Sequence, residues 1–352
     1  MTRINRPSSA AVLCVTLALT GVAGAQTALF SNARTTPTDP GLATGVSSIS
    51  GVPAPAGKVF SELQASAGEA NAVAGFASFV TSPATLRLAD DFEVPAGTGG
   101  WRVERLTVYA YPGSGGALSL EGATARFWNG SPALGASVVA GDATTNRLAV
   151  VTPTNMLRIF HTGALAGAAP AIAPDDTRPI SAVELAFNPP VVLAPGTYFV
   201  DWQLDTAGDT QAFAPTITVI GQRTRSVAPP ALPAGNALQF RVAPPPVLIG
   251  QWLPAIDAGK PAPAADLSME LPFLLSGAVL PAPCDSADIA GAGQTEGADG
   301  VLSADDIILF INRFFAADAR ADVAGSGQVP TPDGAFSADD IIVFIGAFFA
   351  GC

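Results

Sequence analysis

The chain is poor in the side chains that carry most enzymatic chemistry. Its 352 residues include one histidine and three cysteines, and charged residues make up only 13%. No G-x-S-x-G elbow, H-E-x-x-H pair or C-x-x-C motif occurs, so the common serine-hydrolase, zinc-hydrolase and thiol-redox patterns are missing. His161 closes an apolar segment with no serine or cysteine motif nearby, which leaves it nothing to activate. The net charge is −12 and no basic stripe exists to meet phosphates, so nucleic acid is not an expected partner. No stretch reaches 18 uninterrupted apolar residues, and no membrane span is expected.

Glycine and proline are abundant instead, at 36 and 31 residues, which suits turn-rich β structure better than long helices. Residues 1–25 read as a secretory signal peptide: Arg3 and Arg6, an apolar run from Ala10 to Leu19, then Ala23-Gly24-Ala25 before Gln26. Cys14 lies inside that run and would leave with it. Leu13 stands where a lipoprotein signal needs a small residue, so lipidation of Cys14 is not expected. The expected location is secreted, extracellular or at the cell surface.

Residues 26–84 are rich in Ser, Thr, Pro and Gly and read as an extended lead-in with an edge strand or two. Over residues 85–280 the pattern sharpens into strand candidates at Leu86–Val94, Trp101–Tyr111, Ala123–Trp128, Met156–His161, Ile180–Phe187, Thr197–Leu204, Thr216–Ile220, Leu238–Val242 and Leu267–Leu275. In Thr197–Leu204, Tyr198, Val200, Trp202 and Leu204 face one way and Phe199, Asp201 and Gln203 the other, which predicts a sheet packed on one face and wet on the other. About nine strands without intervening helical patterns predict a mainly β fold: an antiparallel β-sandwich, jelly-roll-like, followed by a small α-helical module.

That module is a duplication. Within residues 284–352, two repeats (287–318 and 321–352) align at an offset of 34, with 19 identities over residues 287–316. Ser303-Ala304-Asp305-Asp306-Ile307-Ile308 returns as Ser337-Ala338-Asp339-Asp340-Ile341-Ile342. Each copy predicts a loop and a helix, with Ser303 or Ser337 as N-cap and Asp306 or Asp340 completing a capping box. Ile307, Ile308, Phe310, Ile311, Phe314 and Phe315 form one wide apolar stripe, repeated at Ile341, Ile342, Phe344, Ile345, Phe348 and Phe349. One helix of about 13 residues is marginal alone. Two facing each other are expected to bury both stripes.

The loops carry carboxylates at calcium-loop spacings. Asp299-Gly300-x-x-Ser303-x-x-Asp306 fits positions 5, 6, 9 and 12 of an EF-hand loop, with Val301 or Ala335 offering the position-7 carbonyl. Asp288 and Asp322 are the opening acids. They stand eleven residues from Asp299 and Asp333, so seven residues are inserted, and Ala290 and Ala324 replace the position-3 ligand.

Two tandem loop-helix halves closed by Gly351-Cys352 resemble a dockerin-type module. The resemblance covers residues 284–352 and implies two weak calcium sites, at Asp288, Asp299, Val301, Ser303 and Asp306 and at Asp322, Asp333, Ala335, Ser337 and Asp340. It also implies docking onto a cohesin-like or other surface protein, read by Ala304, Asp305, Ala338 and Asp339. Nine of the twelve net negative charges lie in this stretch. Cys284 and Cys352 bracket it and are expected to pair in an oxidising compartment, a closure worth roughly 4 kcal/mol.

A second resemblance spans residues 86–277. Leu88-Ala89-Asp90-Asp91-Phe92, Phe127-Trp128-Asn129-Gly130 and Leu193-Ala194-Pro195-Gly196-Thr197-Tyr198 are similar to secreted bacterial β-sandwich domains that precede C-terminal anchoring segments. It implies a fold and a setting but no activity. The leading expectation is therefore a non-catalytic, exported protein attached through its terminal module. The alternative is a carbohydrate-binding or polysaccharide-degrading protein. Of Trp101, Trp128, Trp202 and Tyr111, Trp128 has the best claim to an exposed sugar platform, because Asn129-Gly130 favours a tight turn. A glycoside-hydrolase pair would come from Asp90, Asp91, Glu104, Asp175, Asp176, Glu184, Asp201 and Asp205, although Asp90-Asp91 and Asp175-Asp176 read more simply as turns or strand ends.

Overall fold

The computed structural model describes residues 27–33, 35–36, 39–48, 51–64, 68–81, 84–113, 116–160, 178–207, 211–217, 235–242, 250–280 and 287–351. The chain is mainly β. Its principal strands are β1 (Thr27–Ser31), β2 (Val59–Leu63), β3 (Ala84–Val94), β4 (Gly100–Pro112), β5 (Leu120–Trp128), β6 (Val138–Asp142), β7 (Leu148–Phe160), β8 (Pro179–Leu193), β9 (Gly196–Thr206), β10 (Leu238–Val242), β11 (Gln251–Pro254) and β12 (Phe273–Leu280). Two helices follow, α1 (Ala304–Phe315) and α2 (Ala338–Ala350). Among the described residues no helix is long and apolar enough to cross a membrane.

Two large sheets share one core. The first runs β1-β12-β4-β8-β7-β2, antiparallel except where β2 lies parallel to β7. The second runs β6-β5-β9-β3-β10-β11, antiparallel throughout. Alternation along each strand sends every second apolar side chain inward. Leu88 and Phe92 of β3 and Val200 and Trp202 of β9 thus join Leu106 and Val108 of β4 and Phe273 and Leu275 of β12 in one buried cluster. Phe92 is its aromatic hub, about 6 Å from the rings of Trp101, Phe127 and Phe273. Trp101, Trp202 and Tyr111 are buried, which removes three of the four rings considered for a sugar platform.

The stretch expected as a lead-in supplies both edges of the first sheet. β1 pairs with β12 at one end and β2 with β7 at the other, and Phe60 and Leu63 are fully buried. Two strand expectations need correction. Leu267–Leu275 splits into Leu267–Ser268 and β12, because Pro272 between them cannot donate to a ladder. Residues 216–217 of the expected Thr216–Ile220 strand are irregular, and its remainder lies outside the described residues, as do His161, Asp175, Asp176, Cys284 and Cys352.

In the terminal repeats both capping boxes form as the sequence predicts, at Ser303/Asp306 and Ser337/Asp340. The expected burial of both wide stripes is corrected. Phe310 and Phe344 are buried with Ala287 and Ala321, and Ile307, Ile311, Phe314, Ile341, Ile345 and Phe348 pack around them. Ile308, Phe315, Ile342 and Phe349 face solvent. A stripe of six apolar positions spans more of the helix than one partner helix covers.

Candidate functional site

In the terminal loops the carboxylates are taken up by backbone N–H groups. Asp288 accepts from Asp299 N at 3.1 Å and Gly300 N at 2.8 Å. Asp306 accepts from Ile289 N, Ala290 N and Ser303 N, each at 2.8 Å. The second copy repeats this. Asp322 accepts from Asp333 N and Gly334 N, and Asp340 from Val323 N, Ala324 N and Ser337 N. Asp299 and Asp333 each cap their own turn through Val301 N and Ala335 N, and the Ser303 and Ser337 hydroxyls cap the helices. Burial pushes the Asp306 and Asp340 carboxyls up, but the backbone donors outweigh it and hold both below the ordinary carboxylate range.

The acids of neither loop converge on a cation-sized point. The oxygens of Asp288, Asp306 and their copies accept N–H bonds, and the three acids of each loop lie too far apart in this arrangement to share one calcium ion. The insertion has a structural role of its own. Ala290–Gly291 pairs with Thr295–Glu296, and Gly293 and Gln294 between them both have positive φ, as the inner residues of a type I′ turn do. Gly327 and Gln328 repeat that conformation.

The residues expected to read a partner divide by role. Asp305 and Asp339 accept from Gly293 N and Gly327 N and tie each loop to its helix. Ala304 and Ala338 are exposed, on the same helical faces as Ile308 and Phe315 and as Ile342 and Phe349. Phe315 is 80% exposed and Phe349 78%.

A second surface lies on the outer face of the second sheet, which the alternation in β9 predicts to be wet. The structure corrects this. Asp201 is fully buried on that face, accepting from Arg87 Nε at 2.6 Å, Arg126 Nε at 2.8 Å and Trp128 Nε1 at 2.5 Å. Arg87 also donates to Thr124 Oγ1 at 2.9 Å, and the Arg126 guanidinium stacks 4.8 Å from the Trp128 ring. Register explains the gathering: Asp201 pairs with Arg126 across β5, and Arg87, Phe240 and Trp252 share a row across β3, β10 and β11. The sheet curls until Trp252 on its edge strand meets Trp128 edge-to-face, 6.2 Å between centroids. The resulting trough has a volume of about 410 Å³, bordered by Arg87, Arg126, Trp128, Gln203, Phe240 and Trp252. Sequence reading singled out Trp128 alone among these rings. The polar positions 201 and 203 were the visible signal for the rest.

A third cluster lies on the expected strand Leu86–Val94. Asp90 and Asp91 are inside β3 rather than at a turn or strand end, and their carboxylates meet Glu270, with one oxygen from each within 4.8 Å of the other two and all three residues buried. Burial and the neighbouring charges of Glu270 and Asp91 push the Asp90 carboxyl well above its usual range. Burial lifts Asp91 to about 6, against a hydrogen bond from Asn236, and lifts Glu270 to about 7. The trio is enclosed and does not line a cleft. Of the other described acids considered for hydrolysis, Glu104 bonds Arg102, Glu184 bonds Arg105, Asp201 is covered by the arginines, and Asp205 is exposed near the end of β9.

Comparison of the chain with protein-family models, with curated proteins and with solved structures gave no match.

Proposed function

We propose that the chain is an exported, non-catalytic protein whose β-sandwich, jelly-roll-like in its two-sheet core, is attached to a surface or extracellular partner protein through a dockerin-like pair of terminal repeats. The exposure of Phe315 and Phe349 at equivalent positions carries this reading. A phenylalanine side chain left in water forgoes about 2 kcal/mol of burial free energy. Both copies of the duplication keep that cost, on the face that also presents Ala304, Ile308, Ala338 and Ile342. A partner with an apolar groove recovers it twice. Docking in this reading needs no metal, since the loop carboxylates are held by the backbone.

The test is retention of the full chain on the cell-envelope fraction of the producing organism. Phe315→Ser with Phe349→Ser is expected to release it to the soluble fraction without lowering its melting temperature, and a chelator is expected to leave the wild type bound. Undiminished retention of the double variant would sink the reading. Release of the wild type by chelator would restore the calcium role that the dockerin resemblance implies.

The trough supports a second reading, carbohydrate binding by the sandwich. Its aromatic borders offer stacking faces, and Arg87, Arg126 and Gln203 offer hydroxyl partners. Titration with neutral and acidic oligosaccharides against Trp252→Ala decides it: binding heat lost in the variant supports a sugar site, and no heat with any oligosaccharide removes it.

A further inference from the structure

We propose that Asp90, Asp91 and Glu270 form a calcium-type divalent cation site inside the β-domain, separate from the terminal repeats.

The distances suit a shared ion. Calcium–oxygen bonds of about 2.3–2.6 Å set two ligands of one ion at most about 5 Å apart. One oxygen from each of the three carboxylates lies within 4.8 Å of the others.

The trio also holds acceptor capacity that the protein leaves unused. Asp91 is only 2% exposed, and its Oδ1 is buried with no hydrogen-bond donor. Asn236 donates its amide to Asp91, while its own Oδ1 is also buried and without a donor. Asp90 and Glu270 are fixed but not saturated. Asp90 Oδ1 accepts from Asp91 N at 3.0 Å and Oδ2 from Leu271 N at 2.7 Å. Glu270 Oε1 accepts from Asn32 Nδ2 at 3.1 Å and Oε2 from Gly235 N at 3.0 Å. Each of those oxygens keeps a second lone pair. In the terminal loops, by contrast, the three acids of each copy do not come within 4.8 Å of one another.

The fold builds the enclosure deliberately. Pairing of β10 with β3 stops at Leu238–Ala89, so the edge of β3 is open from Asp90 onward. Segments 235–237 and 269–271 close that edge, joined by Ala237 N to Met269 O at 3.1 Å. A side chain at position 235 would collide with Ser268 O at 2.4 Å, and the positive φ of Gly235 also favours glycine. Asp90 points to the inner face of β3 and Asp91 to the outer, so only an open strand edge lets both reach one point.

Among the described residues no lysine or arginine pairs with any of the three acids. Three carboxylates within one buried volume repel unless a positive charge or protons offset them. An all-oxygen set with flexible geometry and no nitrogen or sulfur ligand selects calcium over zinc or copper.

The test uses the full chain stripped with chelator, its main melting transition followed as calcium or magnesium is added back, with bound metal counted by mass spectrometry. Calcium at a hundredfold excess over Kd is expected to raise the midpoint by about 5–10 °C. Asp91→Asn with Glu270→Gln is expected to raise the midpoint of the stripped protein and to abolish the calcium response. Asp306→Asn with Asp340→Asn is expected to leave that response intact. A stripped wild type indifferent to calcium, or a response that survives Asp91→Asn with Glu270→Gln, overturns the proposal, as does a shift with magnesium but not calcium.

Discussion

The ring of Phe310 lies flat on the ring of Phe344, 3.9 Å between centroids and 7° from parallel. The two residues are the same position in successive repeats, so the duplication meets itself at the centre of its own core. Ala287 and Ala321, also equivalent, close the other side. Phe310→Ala or Phe344→Ala is expected to cost about 3–5 kcal/mol of the stability of the terminal repeats. Hydrogen exchange across residues 304–350 checks it, with amide protection lost there and retained in the strands.

The clamp from Asp306 to Ile289, Ala290 and Ser303 makes a different prediction. Asp306→Ala strands donors that the carboxylate now satisfies and is expected to cost about 3 kcal/mol. The same loss is expected with chelator present and with calcium added, because the bonds broken are to the backbone. Denaturant unfolding in both buffers measures it. A cost seen only with calcium present would assign the carboxylate to a metal instead.

Beneath the trough, Asp201→Ala leaves the buried Arg87 without its carboxylate and is expected to cost about 3–5 kcal/mol. Replacing Asp201 with leucine and Arg87 with methionine together is expected to recover most of that loss. A double-mutant cycle by thermal unfolding separates the pair from its surroundings.

Stability without divalent cations should also depend on pH. Asp91 and Glu270 sit at about 6 and about 7 in the folded chain, above the carboxylate values of about 4 in an unfolded one. The folded state therefore holds protons that unfolding releases. The contribution is full below about pH 4 and lost as pH rises through about 7. The melting midpoint of chelator-treated protein is expected to fall between pH 5 and 8, and Asp91→Asn with Glu270→Gln should flatten the decline.

The β class was legible from alternation and turn residues, and Leu238–Val242 is a strand over the range its pattern gives. The capping boxes were legible because they are local, spanning four residues each. What escaped depends on distant register. Asp201 becomes a buried hub because Arg87 stands 114 residues before it and Arg126 75 before it. Asp90 and Asp91 fall within a strand legible in the sequence, but their burial is not legible there, because Asn236 and Glu270, which meet them, arrive from far along the chain. Trp252 sits on a four-residue strand between Gln251 and Pro254, too short to show alternation. In the helices the period was right and the width misled: i, i+3, i+4 spacing does not say how much of a stripe a partner covers.

The placement of β1 and β2 sets the order in which the first sheet can be completed. β1 waits for β12, whose residues are synthesised nearly 250 positions later, and β2 waits nearly 100 positions for β7. Until residue 280 has emerged, β4 presents an unpaired ladder edge to other chains. A ribosome that stalls within that interval releases a chain able to template aggregation, while one that stalls just beyond it leaves every principal strand of both sheets with its neighbours.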